Sequence, residues 1–113
     1  RGRGASASLR AAWARGERTP LFTDEYRTPL HAADAARILV GLVVDPAGPS
    51  LAQLAGPERV SRWEFGRRLA GTHGVPLELL LPTECQDPLR PRDCSLVPTI
   101  APTRSLAAMF ADC

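Results

Sequence analysis

The sequence has no lysine: all 14 basic residues among its 113 are arginines. This absence excludes chemistry that needs a lysine amine, such as Schiff-base formation or a tyrosine whose pKa is lowered by a neighbouring ammonium group. The formal net charge of +2 is too small to indicate a nucleic-acid-binding protein, and the two arginines within residues 1–4 do not change that. We therefore expect no nucleic acid partner.

Cysteines, aromatic residues and long apolar runs are also scarce. The cysteines Cys85, Cys94 and Cys113 are odd in number and lack Cys-x-x-Cys spacing, so we expect no metal site and favour free thiols over a Cys85–Cys94 disulfide. No apolar run approaches the roughly 20 residues that span a membrane, and the first residues lack the apolar region of a signal peptide. The sequence predicts a cytoplasmic protein with no membrane partner.

The length allows one domain at most, and 11 prolines with nine glycines predict short elements joined by many connections. Hydrophobic periodicity predicts helices near residues 5–15, 34–44 and 61–72, and a last helix capped by Thr103. Extended segments are predicted at 21–30 and as a brief buried strand at 50–55, and residues 77–81 fit either a helical turn or a strand. This pattern indicates an α/β protein dominated by helices, with short strands.

Residues 26–44 (Tyr-Arg-Thr-Pro-Leu-His-Ala-Ala-Asp-Ala-Ala-Arg-Ile-Leu-Val-Gly-Leu-Val-Val) carry the strongest local signal. Asp34 stands where a helix N-cap is expected, with its carboxylate available to the first free N–H groups. Five apolar residues behind it fall on one helical face: Ala35, Ile38, Leu39, Leu42 and Val43. Arg27 comes seven residues before this cap, on the approach to a strand-to-helix turn, which is a common ligand-binding position in α/β proteins.

Residues 56–65 (Gly-Pro-Glu-Arg-Val-Ser-Arg-Trp-Glu-Phe) carry the second signal. Ser61 and Glu64 have the spacing of a capping box, which predicts that a helix starts at Ser61. Gly16 and the pair Gly71 and Gly74 are placed to end the first and third helices.

These motifs occur in an order that resembles a known family. Residues 24–29, 34–36, 56–65 and 91–96 together are similar to the C-terminal, substrate-binding part of extended short-chain dehydrogenases, most of all to the dTDP-4-dehydrorhamnose reductase family. That family includes the similar regulatory beta subunit of methionine adenosyltransferase. The resemblance covers nearly the whole chain and implies the C-terminal portion of a Rossmann-type α/β fold that closes over a nucleotide-sugar.

The cofactor half that the resemblance implies has no counterpart in these residues. The family carries a glycine-rich phosphate loop and a tyrosine–lysine catalytic pair four residues apart. Here the only tyrosine, Tyr26, is followed four positions later by Leu30. We therefore expect residues 1–113 to be one substrate-binding domain of a larger protein, without catalytic residues or a cofactor of its own. The missing N-terminal Rossmann half would be its partner, and NADP or NAD the cofactor of the complete protein.

Two arginines are the candidate substrate-binding residues. Arg27 resembles an arginine that holds the substrate diphosphate in related sugar-nucleotide epimerases, and Arg90, three residues before Asp93, resembles a second one. Guanidinium groups match phosphate oxygens and stay charged at any relevant pH. The alternative is that both arginines are solvated or paired with Glu25 and Asp93.

Two functions remain open for the complete protein, and a third alternative is that this chain is a destabilised fragment with no activity. The first is an NAD(P)-dependent nucleotide-sugar reductase in which this chain binds substrate. The second is a non-catalytic regulatory or partner-binding domain, as in the methionine adenosyltransferase beta subunit. In either case, apolar faces without a partner favour self-association of the isolated chain. His31, with no nucleophile or metal partner in view, is expected to be a packing or hydrogen-bonding residue.

Overall fold

The computed structural model describes residues 4–100 and 102–112, so Cys113 lies outside the described residues. Within these residues, four α-helices, one 3₁₀ turn and four short strands are interspersed, which confirms the predicted α/β class. The helices are α1 (Ala5–Ala14), α2 (Ala32–Val44), α3 (Arg62–Thr72) and α4 (Leu106–Ala111), with the 3₁₀ turn at Leu77–Leu79; the strands are β1 (Thr19–Phe22), β2 (Tyr26–Arg27), β3 (Val60–Ser61) and β4 (Leu80–Thr83).

The ends of α1 and α3 follow their sequence signals. Ser61 caps α3, since its hydroxyl oxygen accepts a hydrogen bond from the Glu64 N–H at 3.0 Å. Gly16 and Gly74 take positive φ angles of 72° and 65° just past α1 and α3. A left-handed residue at this position lets the next N–H groups bond back to the last carbonyls of the helix, and glycine adopts that conformation without strain.

The start of α2 differs from the prediction. His31, not Asp34, is the N-cap: its Nδ1 accepts a hydrogen bond from the Ala33 N–H at 3.1 Å. Asp34 lies in the first turn, where its carboxylate accepts from the Arg104 N–H at 2.9 Å and from the Arg104 guanidinium. The prediction is wrong because an imidazole nitrogen can serve as the capping acceptor. Asp34 instead ties α2 to the segment before α4.

The last helix also begins later than predicted, at Leu106 with Ser105 as its N-cap instead of Thr103. A second group fixes this start: Glu58 accepts a hydrogen bond from the Leu106 N–H at 3.1 Å, and its other oxygen accepts from Arg68 at 2.8 Å. The cap is therefore assisted by a carboxylate 48 positions away, which local sequence rules do not include.

The strands form two separate pairs. β1 and β4 run parallel, with Thr19 opposite Leu80, and β2 and β3 run antiparallel, with Tyr26 opposite Ser61. On its other edge, Tyr26 forms a parallel bridge with Asp93. The strands are short and the sheets narrow, as predicted, and residues 77–81 combine both predicted options, a 3₁₀ turn followed by a strand.

The core lies between β1, β4 and three of the helices. Leu69 and Leu106 are fully buried in it, and Phe65 packs edge-on against Phe110 with ring centroids 5.2 Å apart. Its buried members are Trp13, Leu21, Val60, Leu69, Ala70, Leu80, Leu106, Met109 and Phe110. The buried strand predicted at 50–55 is wrong: these residues form no strand, and Leu51 is exposed. Two leucines three positions apart did not identify a strand.

Two residues of the predicted apolar stripe of α2, Leu39 and Val43, are exposed, together with the neighbouring Val40 and Val44. Ile38 is buried, but Val43 and Val44 are 85% and 72% exposed, and Leu39 and Val40 are more than half exposed. We call the last four residues the α2 apolar face. Contiguous exposed apolar surface favours association.

We expect the chain to self-associate through the α2 apolar face and Val43→Glu to weaken that association. A charge at this exposed position opposes burial in an interface and leaves the folded monomer intact. Sedimentation velocity across a concentration series measures the effect. Val97→Glu, at a valine that is 77% exposed elsewhere, is the matched control. A wild-type chain that stays monomeric at every concentration contradicts the expectation.

No described helix has the length and apolar character needed to cross a membrane. Cys85 is buried and Cys94 exposed, and both are free thiols.

Candidate functional site

Glu25 is a buried carboxylate that contacts several arginines. Its side chain is 0% exposed, yet three arginines surround it. Arg90 donates hydrogen bonds to both of its oxygens, Arg27 Nη2 lies 3.1 Å from Oε1, and Arg62 Nη1 lies 3.8 Å from the same Oε1. A buried carboxylate requires such partners because its desolvation is costly. The four side chains together carry a net charge of +2.

The strand register explains why these residues meet. Glu25 directly precedes β2, and Arg62 directly follows β3; the Arg62 N–H donates to the Glu25 carbonyl at 3.0 Å, which extends the pairing. On the opposite edge of β2, the bridge to Asp93 brings in the segment that carries Arg90. The hydrogen bonds from Arg90 lower the pKa of Glu25, against the effect of burial, and the charges of Arg27 and Arg62 lower it further.

The two predicted arginines occupy different environments. Arg27 is one-third exposed, donates to the Tyr26 carbonyl at 2.7 Å and lines a cavity. Arg90 holds Glu25 in a two-point contact, lies over the Phe22 ring at 5.2 Å and does not line that cavity. The alternative expectation, pairing with Glu25, describes both arginines in this structure. A substrate contact by either one stays a prediction.

The cavity beside Arg27 has a volume of about 450 Å³. Its walls are mainly apolar, and Arg27, Arg62 and His31 are its cationic or titratable lining residues. The lining residues are Gly4, Ala5, Ser6, Leu9, Leu21, Arg27, Pro29, Leu30, His31, Ala32, Val60, Ser61, Arg62, Phe65, Met109 and Phe110. None of these described residues is acidic. A volume of this size suits a small organic molecule, and the charges favour one with an anionic group.

Three helices begin at this cavity. The first residues of α1 (Gly4 to Ser6), the cap of α2 (His31 and Ala32) and the cap of α3 (Ser61 and Arg62) all line it. Helix N-termini carry partial positive charge from the aligned peptide dipoles. Their convergence adds to the field of Arg27 and Arg62 and favours bound anions over cations.

His31 connects the cavity to the end of the described chain. With its Nδ1 accepting the capping hydrogen bond, the ring proton is assigned to Nε2, which lies 3.0 Å from an Asp112 carboxylate oxygen. This arrangement orients the ring and uses both nitrogens. The prediction of a hydrogen-bonding histidine is confirmed, and no nucleophile lies among its described partners.

No glycine-rich phosphate loop of the dinucleotide-binding type precedes a helix in the part of the chain that the structure describes. The described glycines with positive φ, Gly16 and Gly74, end helices and do not form a phosphate loop before one. Tyr26 packs under the Arg59 guanidinium, 3.8 Å from its ring centroid, and Arg59 in turn binds Asp93 at 2.8 Å. Without a lysine in the sequence, Tyr26 lacks the usual partner of a catalytic tyrosine. The described residues also contain no cluster of side chains suited to a metal ion.

The sequence prediction missed Arg62, and it missed the role of Glu25 as the common ion-pair partner of three arginines. Arg62 had a local signal, since it directly follows the Ser61 cap and so stands at a helix N-terminus. Its proximity to Arg27 depends on the pairing of β2 with β3, two-residue strands more than 30 positions apart. Strands this short do not show the alternation of apolar and polar residues by which a strand is recognised in a sequence.

Comparison with known proteins supports the fold without establishing a family. No family model and no curated protein sequence matches the chain. Among solved structures, it is similar to a dTDP-4-dehydrorhamnose reductase from Bacillus anthracis in complex with NADP, with a TM-score of 0.82 at 13% identity. The match covers all of this chain and 44% of the reductase chain, so this chain spans less than half of that protein's length. The fold is that of a portion of a Rossmann-like reductase.

Proposed function

We propose that this chain is the substrate-binding portion of an NAD(P)-dependent nucleotide-sugar reductase, and that Arg27 binds the substrate diphosphate. The observation that carries the proposal is the cavity: apolar walls, Arg27 and Arg62 at its surface, three helix N-termini and no acidic described lining residue. Such a site suits a ligand that has an anionic group joined to a larger organic part. The likeness to a portion of a reductase fold supports the same class.

The hydride-transfer step is assigned to another part of the complete protein. This chain would bind and orient the nucleotide-sugar, with Arg27 compensating phosphate charge while the apolar wall excludes water from the rest of the ligand. The cofactor, NADP or NAD, would bind the N-terminal half. The cytoplasmic location stays a prediction.

Arg27→Ala is expected to weaken binding of dTDP-glucose, used as a stable nucleotide-sugar, by about ten- to hundredfold. A charge-assisted contact to phosphate contributes about 1.5–3 kcal/mol, and each 1.4 kcal/mol corresponds to a factor of about ten. Arg27→Lys should recover only part of the affinity, because lysine keeps the charge but lacks the planar, two-pronged guanidinium group. Isothermal titration calorimetry measures the effect.

Arg67→Ala is the matched control for this titration. Arg67 pairs with Glu64 on an exposed face of α3 and does not line the cavity, so its removal should leave affinity unchanged. Thermal melts confirm that each variant is folded. Equal affinity of a folded Arg27→Ala variant and the wild-type chain would reject the diphosphate assignment.

A second candidate, a non-catalytic regulatory or partner-binding domain, is favoured by one observation: the α2 apolar face lies exposed and away from the cavity. A domain whose role is to hold a partner needs such a surface, and it does not need the nucleotide-sugar. Absence of any nucleotide-sugar binding by the folded chain would support this candidate over the first.

A further inference from the structure

We propose that Arg62, not Arg90, is the second arginine that contacts the ligand phosphate, and that Arg90 instead neutralises Glu25. This inference rests on the proposed function, because it assigns a separate role to each arginine at or near the same cavity. It departs from the residue pair that the sequence resemblance indicates.

The hydrogen bonds around Glu25 separate the three arginines. Arg90 donates from two nitrogens to the two carboxylate oxygens, a forked contact that uses both acceptors of Glu25 and fixes the guanidinium plane. Such two-point contacts are the strongest arginine–carboxylate geometry. An arginine engaged in this way offers fewer N–H groups to a ligand, and Arg90 lies outside the cavity lining.

Arg62 has the opposite properties. Among the described residues, its guanidinium makes only the 3.8 Å contact with Glu25 and donates no hydrogen bond, and its side chain is 39% exposed. The guanidinium N–H donors are thus available at a residue that lines the cavity. Moving such a group toward a phosphate breaks no strong interaction.

Arg27 and Arg62 are also close enough to act on one ligand. Both contact the same oxygen of Glu25, so the contacting nitrogens lie within about 7 Å of each other. Glu25 and its three arginines carry a net charge of +2, and two of these arginines, Arg27 and Arg62, line the cavity. Two guanidinium groups at this separation match a nucleoside diphosphate better than a neutral ligand.

The test compares Arg62→Ala with Arg90→Ala in titrations of dTDP, with thymidine as the uncharged probe. Arg62→Ala is expected to weaken dTDP binding about tenfold, without lowering the melting temperature, and to leave thymidine binding unchanged. Arg90→Ala is expected to lower the melting temperature, because it leaves Glu25 without its main partner. The folded fraction of Arg90→Ala should bind dTDP within about threefold of wild type, since Arg90 lies outside the cavity lining.

Partial recovery of dTDP affinity by Arg62→Lys, which keeps the charge but loses the fork, supports direct phosphate contact. The inference is overturned if folded Arg62→Ala binds dTDP like the wild-type chain, or if folded Arg90→Ala loses more affinity than Arg62→Ala. In those outcomes the proposed function survives as long as Arg27→Ala still weakens binding. A wild-type chain that binds neither dTDP nor dTDP-glucose overturns both.

Discussion

Gly56→Ala is expected to destabilise the protein by about 3 kcal/mol or more. A Cβ atom at Gly56 would lie 1.6 Å from the Pro29 carbonyl oxygen and 2.7 Å from its carbonyl carbon. Both are backbone atoms, so no side chain can rotate away. The Gly56 N–H also donates to the Thr28 carbonyl at 3.2 Å, and relief of the clash would separate these two segments.

Urea denaturation followed by circular dichroism measures this loss of stability. If the variant does not fold, the yield of soluble protein is compared with that of the wild type instead. Gly41→Ala is the matched control: Gly41 lies within α2 with no atom near the added Cβ. There alanine should stabilise the helix by about 1 kcal/mol. The free energy of unfolding should fall in Gly56→Ala and rise in Gly41→Ala. Equal denaturation midpoints of the two variants would contradict this expectation. Because Pro29 lines the cavity, a folded Gly56→Ala variant should also bind ligand less tightly.

Glu25→Gln is expected to cost about 2–3 kcal/mol of stability near neutral pH. The amide cannot balance Arg27, Arg62 and Arg90, which then repel one another around a buried polar group. Breaking a buried ion pair costs about 3–5 kcal/mol, and partial exposure of these arginines lowers the expected cost below that range. Glu17→Gln, which removes the same charge from an exposed pair with Arg15, should leave the denaturation midpoint unchanged.

The same variant should change the dependence of stability on pH. Hydrogen bonds from Arg90, the Arg104 N–H and Arg68 lower the pKa values of Glu25, Asp34 and Glu58 respectively below their ordinary values. A carboxylate with a lowered folded pKa stabilises the fold above its unfolded pKa, about 4, and this stability is lost as pH falls through the folded pKa. Denaturation at about pH 7 and about pH 3 should therefore show a smaller acid loss in Glu25→Gln than in wild type. An equal loss in both proteins would contradict the role assigned to Glu25.

Local rules predicted those parts of the fold that depend on neighbouring residues. The Ser61 cap, the glycine terminations at Gly16 and Gly74 and the positions of three helices follow from hydrogen bonds that span at most five positions. The starts of α2 and α4 did not follow. The cap of α2 is His31, which a local rule does not select. The cap of α4 is Ser105, an ordinary capping residue two positions after Thr103, and the distant Glu58 adds a second acceptor there.

The candidate site was predicted only in part, for a related reason. Arg27 was recognised from its place before a helix, and it does line the cavity. Arg62 and Glu25 required the β2–β3 register, which two-residue strands do not encode in their sequence pattern. Gly56 stands in the 56–65 motif, one of the four segments that carry the resemblance. The physical reason for glycine there, close contact with the Pro29 backbone, is seen only in the structure.

The parallel pairing of β1 with β4 determines when the cavity can exist during folding. Thr19 donates from its hydroxyl to the Leu79 carbonyl across 60 positions of sequence, and the intervening chain contains β2, α2, β3 and α3. Contacts of such high sequence separation slow folding, because a long loop must close before they form. A peptide of residues 19–62 would contain Glu25, Arg27 and Arg62 but not the strand that holds β1 in place. We therefore expect the cavity to be completed late in folding, together with the core.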